Sequence, residues 1–88
     1  MRDLLFHALS HSCRRQIVVM LRKESMNAGE IADRFDISQP SVSRHLTVLK
    51  RAGLVTTQRY ANQVVYSLNM GAIRELILYA SQLLAGQE

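Results

Sequence analysis

The sequence predicts a mainly α fold carrying a small β-hairpin, in the order α-α-α-α-β-β-α. This is a winged helix-turn-helix, paired as a homodimer through its first and last helices. Three observations predict it. Residues 27–53, NAGEIADRFDISQPSVSRHLTVLKRAG, spell two capped amphipathic helices with a tight break between them. Directly after Gly53 the apolar spacing changes from that of a helix to the alternation of a strand. The terminal helices carry more apolar surface than one small domain should leave in water.

Leu4, Leu5, Ala8 and Leu9 mark a short first helix. Ser10 or Ser12 caps a second, which runs to about Lys23. Its inner face is expected to be Cys13, Ile17, Met20 and Leu21, which recur at helical spacing. Glu24 to Met26 form a link. Asn27 with Glu30 makes a capping box, and Ile31, Ala32 and Phe35 share the buried face of the third helix. Asp36 stands at the turn, where it tolerates a positive φ. Ser38 caps the fourth helix, with Pro40 in its first turn, where a missing N–H costs nothing. Val42, Leu46 and Leu49 form its buried stripe, and Gly53 ends it.

Leu54–Arg59 and Gln63–Leu68 are rich in Val, Thr and Tyr and flank a polar turn, Tyr60-Ala61-Asn62. Val64, Tyr66 and Leu68 alternate with Gln63, Val65 and Ser67, a pattern that fits a hairpin with one face on the core. Asn69 caps a last helix striped by Ile73, Leu76, Ile77, Ala80, Leu83 and Leu84. That stripe, with Leu4, Leu5 and Ala8, is the expected dimer interface. About 800 Å² per partner would hold such a pair.

The chain has 88 residues and a formal net charge of +4, which favours a polyanionic partner. The charge is concentrated. Arg34, Arg44, Lys50, Arg51 and Arg59 face one acid, Asp36, between residues 34 and 59. The lone cysteine, Cys13, allows no intrachain disulfide and fits a reducing cytoplasm. No secretory segment is expected, and no membrane-spanning segment.

A helix-turn-helix offers its second helix to the major groove of double-stranded DNA. With Val42, Leu46 and Leu49 inward, Pro40, Arg44, Thr47 and Arg51 lie on the far side. Gln39, Ser41 and Ser43 occupy the first turns. Gln39 suits a bidentate contact to adenine, and Arg44 one to guanine. Ser41 and His45 are expected at phosphates, although His45 flanks the buried stripe and its alternative is simple packing. Lys50 and Arg51 are placed for phosphate contact or for solubility. In the wing, Arg59, Tyr60 and Asn62 are expected to enter the minor groove or follow the backbone.

The segments ISQPSVSRHLTVLKRAGLV and VVYSLN, with ALSHSCRRQIVVML upstream, resemble the ArsR/SmtB family of bacterial winged-helix repressors. The resemblance covers nearly the whole chain. It implies a homodimer that binds an imperfect inverted repeat in a promoter and represses transcription. Ser43 and Arg44 match the family's positions for base contact. The family's sensory residues do not carry over. Asn27 and Gly29 stand at the Cys-x-Cys positions of the third helix. The last helix has Glu75 but no His or Asp, and Cys13 has no cysteine partner there. No metal or other cofactor is therefore expected, and the chain is closest in type to the family's short metal-independent autorepressors. An inducer that is itself a protein, an anti-repressor sequestering the dimer, is compatible with this pattern. Two departures concern geometry. His11-Ser12 replaces the usual Asp-Pro, and Ala61-Asn62 replaces a wing glycine, with Asn62 expected to take the positive φ.

The competing reading is a metal- or thiol-responsive sensor using His7, His11 and Cys13. His7 and His11 have i, i+4 spacing, but a helix break at Ser10 spoils it, and Cys13 shares a stripe with Ile17 as a small apolar residue would. An enzyme is disfavoured, because Ser43 and His45 are two apart on a helix and no acid completes a catalytic set. A winged helix that binds protein instead of DNA is disfavoured by the polar Gln-x-Ser-x-Ser-Arg face.

Overall fold

The computed structural model of the chain describes residues 2–86. The elements are α1 (Arg2–Ala8), α2 (Ser12–Lys23), β1 (Met26–Asn27), α3 (Ala28–Phe35), α4 (Gln39–Arg51), β2 (Val55–Tyr60), β3 (Gln63–Leu68) and α5 (Met70–Leu84). The five helices and the hairpin stand in the expected order. The sheet, however, has a third strand. β1 pairs antiparallel with β3, Met26 opposite Tyr66, giving the order β1-β3-β2. Two residues are too few to show a period: Met26, the last residue of the expected link, forms with Asn27 an edge strand, while Glu24 and Ser25 remain a link. Met26 is buried, and the Ser25 and Ser67 hydroxyls bond at 2.6 Å beside it.

The helix-turn-helix follows its local signals. Glu30 N–H donates to Asn27 Oδ1 at 2.8 Å, and Asn27 N–H donates to Glu30 Oε1 at 2.9 Å, which closes the capping box. Asp36 ends α3 at φ 57°. Ser38 Oγ accepts from Ser41 N–H at 3.2 Å and starts α4. Gly53, at φ 80°, ends it. There Gly53 N–H reaches Lys50 O at 3.0 Å and Leu54 N–H reaches Leu49 O at 3.0 Å, a Schellman closure with both leucines buried.

The start of α2 differs from expectation. Its cap is His11, not Ser10 or Ser12: His11 Nδ1 accepts from Cys13 N–H at 3.1 Å. Ser10 Oγ turns back to donate to His7 O at 2.6 Å. The helix also presents a rotated face. Arg14, Ile17 and Leu21 are buried, while Cys13 and Met20 are half-buried. Arg14 lies inward because its guanidinium meets the carbonyls of His7 and Ala8 at the end of α1.

The core gathers Ile17 and Leu21 of α2, Ile31 of α3, Val42, Leu46 and Leu49 of α4, and Leu54 and Val55 at the base of the wing. Leu5 and Ala8 belong to it too, at 2% and 0% exposure. These two were expected at a dimer interface. They are instead covered by their own chain and have no surface left to give. Asn69 caps α5 by accepting from Gly71 N–H at 3.1 Å.

Candidate nucleic-acid interface

α4 has two unlike sides. Val42, Leu46 and Leu49 are wholly buried. Gln39, Pro40, Ser43, Arg44, Thr47, Lys50 and Arg51 are exposed. Ser41 and His45 are half-buried on the flanks. Pro40 in the first turn brings no side-chain donor of its own, and Gln39, Ser43 and Arg44 carry the exposed hydrogen-bonding groups of the outward face. Arg44 Nη2 donates to Ser41 Oγ at 3.3 Å, and Ser38 Oγ donates to the same oxygen at 3.0 Å. Thr47 Oγ1 donates to Ser43 O at 3.0 Å, so its hydroxyl retains only acceptor capacity.

The wing turns through Ala61 and Asn62, with Tyr60 opposite Gln63. Tyr60 is thus the last residue of a strand and not part of the turn. Ala61, not Asn62, takes the positive φ, 52°. A two-residue connection needs it at the first position, whichever residue stands there. Arg59, Tyr60 and Asn62 are all exposed. Asn62 and Gln63 share a cleft of about 350 Å³ with Asn27 and Gln39, so the wing tip borders the start of α4. Asn27 Nδ2 donates to Gln63 Oε1 at 2.6 Å and braces the two units. That brace was invisible in the sequence, since it joins residues 36 apart.

His45 does not reach outward as a phosphate contact would. Its Nδ1 lies 3.3 Å from Arg14 Nη1, and its ring centroid is 4.6 Å from that of His11. Burial lowers its pKa from the usual 6.5, and the neighbouring basic side chains His11, Arg14 and Arg44 lower it further. Burial also raises the Cys13 thiol pKa, an effect only partly offset by Arg14, which is the direction opposite to that of an activated thiolate. His7 closes α1 while His11 caps α2 with Nδ1 already engaged, so the two imidazoles share no helix face. Among the described residues no three His, Cys, Asp or Glu side chains stand close enough to hold a metal.

A second surface is apolar. Ile77, Leu78 and Leu84 of α5 are 59%, 65% and 91% exposed, and Leu4, Phe6 and Leu83 also lie open. Ala80 is exposed among them, whereas Ile73 and Leu76 are half-buried against the chain's own core. Phe6 and Tyr79 rings meet at 5.3 Å and join α1 to α5. Leu78 was missed because the stripe was counted on one side of the helix, and the open face is wider. No helix among the described residues is long and apolar enough to cross a membrane.

A helix-turn-helix with a polar, basic second helix, flanked by a β-wing, defines a winged-helix DNA-binding transcriptional regulator. Residues 11–57 match the model of the arsR family of bacterial regulatory proteins, and the chain belongs to that family. It is 40% identical over 73 residues to the transcriptional repressor SdpR of Bacillus subtilis, covering 83% of this chain and 81% of that one. It is 35% identical over 74 residues to the transcriptional activator HlyU of Vibrio cholerae, covering 84% of this chain and 68% of that one. The solved structure of that HlyU superposes with a TM-score of 0.77 at 33% identity, over 93% of this chain and 89% of the other. NolR of Sinorhizobium fredii gives 0.77 at 30% identity, over 99% and 86%. The family comprises DNA-binding regulators and not enzymes.

Proposed function

We propose that the chain is a homodimeric repressor that binds an inverted-repeat operator and governs a bacterial promoter, its own included, from the cytoplasm. The observation that carries this reading is the outward face of α4. Gln39, Ser43, Arg44 and Thr47 project from a helix whose other side is locked into the core. Gln39 and Arg44 have the donor patterns that distinguish adenine and guanine. Lys50 and Arg51 at the end of α4, and Arg59, Tyr60 and Asn62 on the wing, supply phosphate and minor-groove contacts.

Dimerisation supplies the symmetry. The open apolar residues of α1 and α5, Leu4, Phe6, Ile77, Leu78, Ala80, Leu83 and Leu84, expose apolar surface that water does not favour. A two-fold contact there leaves both copies of α4 free. Repression follows from the likeness to SdpR, which is named a repressor. The test is a promoter reporter together with fluorescence anisotropy on the promoter duplex. Repression that is lost with Arg44→Ala supports the reading. Stimulation of transcription, as the name of HlyU would suggest, overturns the repressor assignment.

A further inference from the structure

Arg14 is the buried charged side chain among the described residues, at 8% exposure, and no carboxylate there pairs with it. Each of its three nitrogens nevertheless has a partner. Nε donates to Ala8 O at 2.7 Å and Nη2 donates to His7 O at 3.1 Å, both at the end of α1. Nη1 lies 3.3 Å from His45 Nδ1 on α4. A guanidinium only donates, so Nδ1 must be the acceptor and the imidazole proton must sit on Nε2. The carbonyl ends of α1 are electronegative, which offsets the missing counter-charge.

We infer that Arg14 is a positioning residue for DNA recognition: it clamps the neutral ring of His45 to the end of α1 and so sets the angle of the reading helix. The inference rests on the dimeric DNA-binding mode proposed above and deepens it. α1 lies beside the apolar face that would join two copies, and α4 enters the groove. The clamp therefore links the helix that sets the two-fold axis to the helix that reads bases. Base readout tolerates errors of about 0.5 Å or 10–20°, whereas contacts to phosphate tolerate more. Loosening the clamp should cost specific affinity more than non-specific affinity. Lysine cannot replace Arg14, because one ammonium lacks a rigid fork aimed at two helices.

Protons oppose the clamp. His11 from the start of α2, Arg14 from α2 and Arg44 from α4 all face His45, and all are basic. An imidazolium has no lone pair for Arg14 Nη1, so acid opens the contact.

The experiment uses the full chain, a duplex enriched from a randomised pool and a scrambled duplex of equal length. His45→Leu and Arg14→Lys should each lose about tenfold or more on the enriched duplex and about twofold or less on the scrambled one. His45→Asn places Oδ1 where Nδ1 stood and cannot be protonated. It should keep near-native affinity at neutral pH and lose less than the native chain on acidification. Nitrogen chemical shifts of the His45 ring in the free protein should give the Nε2–H tautomer. Equal losses on both duplexes, failure of His45→Asn alongside His45→Leu, or an Nδ1–H tautomer would each overturn the clamp. If no duplex is enriched, the operator reading fails, and the ring shifts still decide the clamp.

Discussion

Asn69 Nδ2 donates to the carbonyl of Gly53 across 2.8 Å, while Asn69 Oδ1 accepts from Gly71 N–H at 3.1 Å. One amide therefore holds both the end of the reading helix and the start of α5. Asn69→Ala should destabilise the fold by about 1–3 kcal/mol, from a lost cap and an orphaned carbonyl. Asn69→Asp keeps the cap acceptor but has no donor for Gly53, so it should recover only part of that loss. Thermal unfolding of the three proteins checks the order.

Gly53→Ala isolates backbone strain. The residue sits at φ 80°, and an added Cβ meets nothing within 4 Å. The cost is then conformational, about 1–2 kcal/mol. A urea midpoint lowered at an unchanged slope is the expected result. Ala61, at φ 52°, offers the reverse test. Ala61→Gly should gain up to about 1 kcal/mol, the relief exceeding the added freedom of the unfolded chain.

The helix-turn-helix could be read from sequence because its signals are local. Asn27 with Glu30, Asp36, Ser38 and Gly53 each act within four residues of where they stand. Leu5 and Ala8 could not be placed, because periodicity groups residues on a face without saying what covers it. Arg14 was unreadable for a related reason: its burial depends on partners from another element, the carbonyls of His7 and Ala8. β1 is too short to carry a pattern. The outward polar side of α4 was legible, while the place of His45 depended on what α2 set against it.

Arg44→Ala should lower affinity for the operator by about 1–3 kcal/mol and relax preference at one base position. Equal loss on operator and random duplexes would assign Arg44 to phosphate. If the proposed dimer makes about 6–10 phosphate contacts, its affinity should fall roughly 10³–10⁵-fold between about 50 and 200 mM salt.

Stability should depend on acid through His45. Its folded pKa is lowered below 6.5, so the unfolded chain binds the proton more readily. The full stability is present above about pH 6.5 and declines as pH falls toward the lower folded value. His45→Asn should flatten that part of the profile in chemical denaturation across the pH range.

Leu78→Glu places a charge in the open apolar face of α5, where Leu78 is 65% exposed. It should leave the monomer fold intact and halve the mass seen by light scattering. A native chain already monomeric at micromolar concentration would contradict the paired arrangement.

Selection of bound sequences from random DNA tests the central claim most directly. Two copies of α4 on a two-fold axis should enrich an inverted repeat with half-site centres about 34–36 Å apart, or a multiple of that spacing. A single asymmetric site, or no enrichment over input, would contradict it.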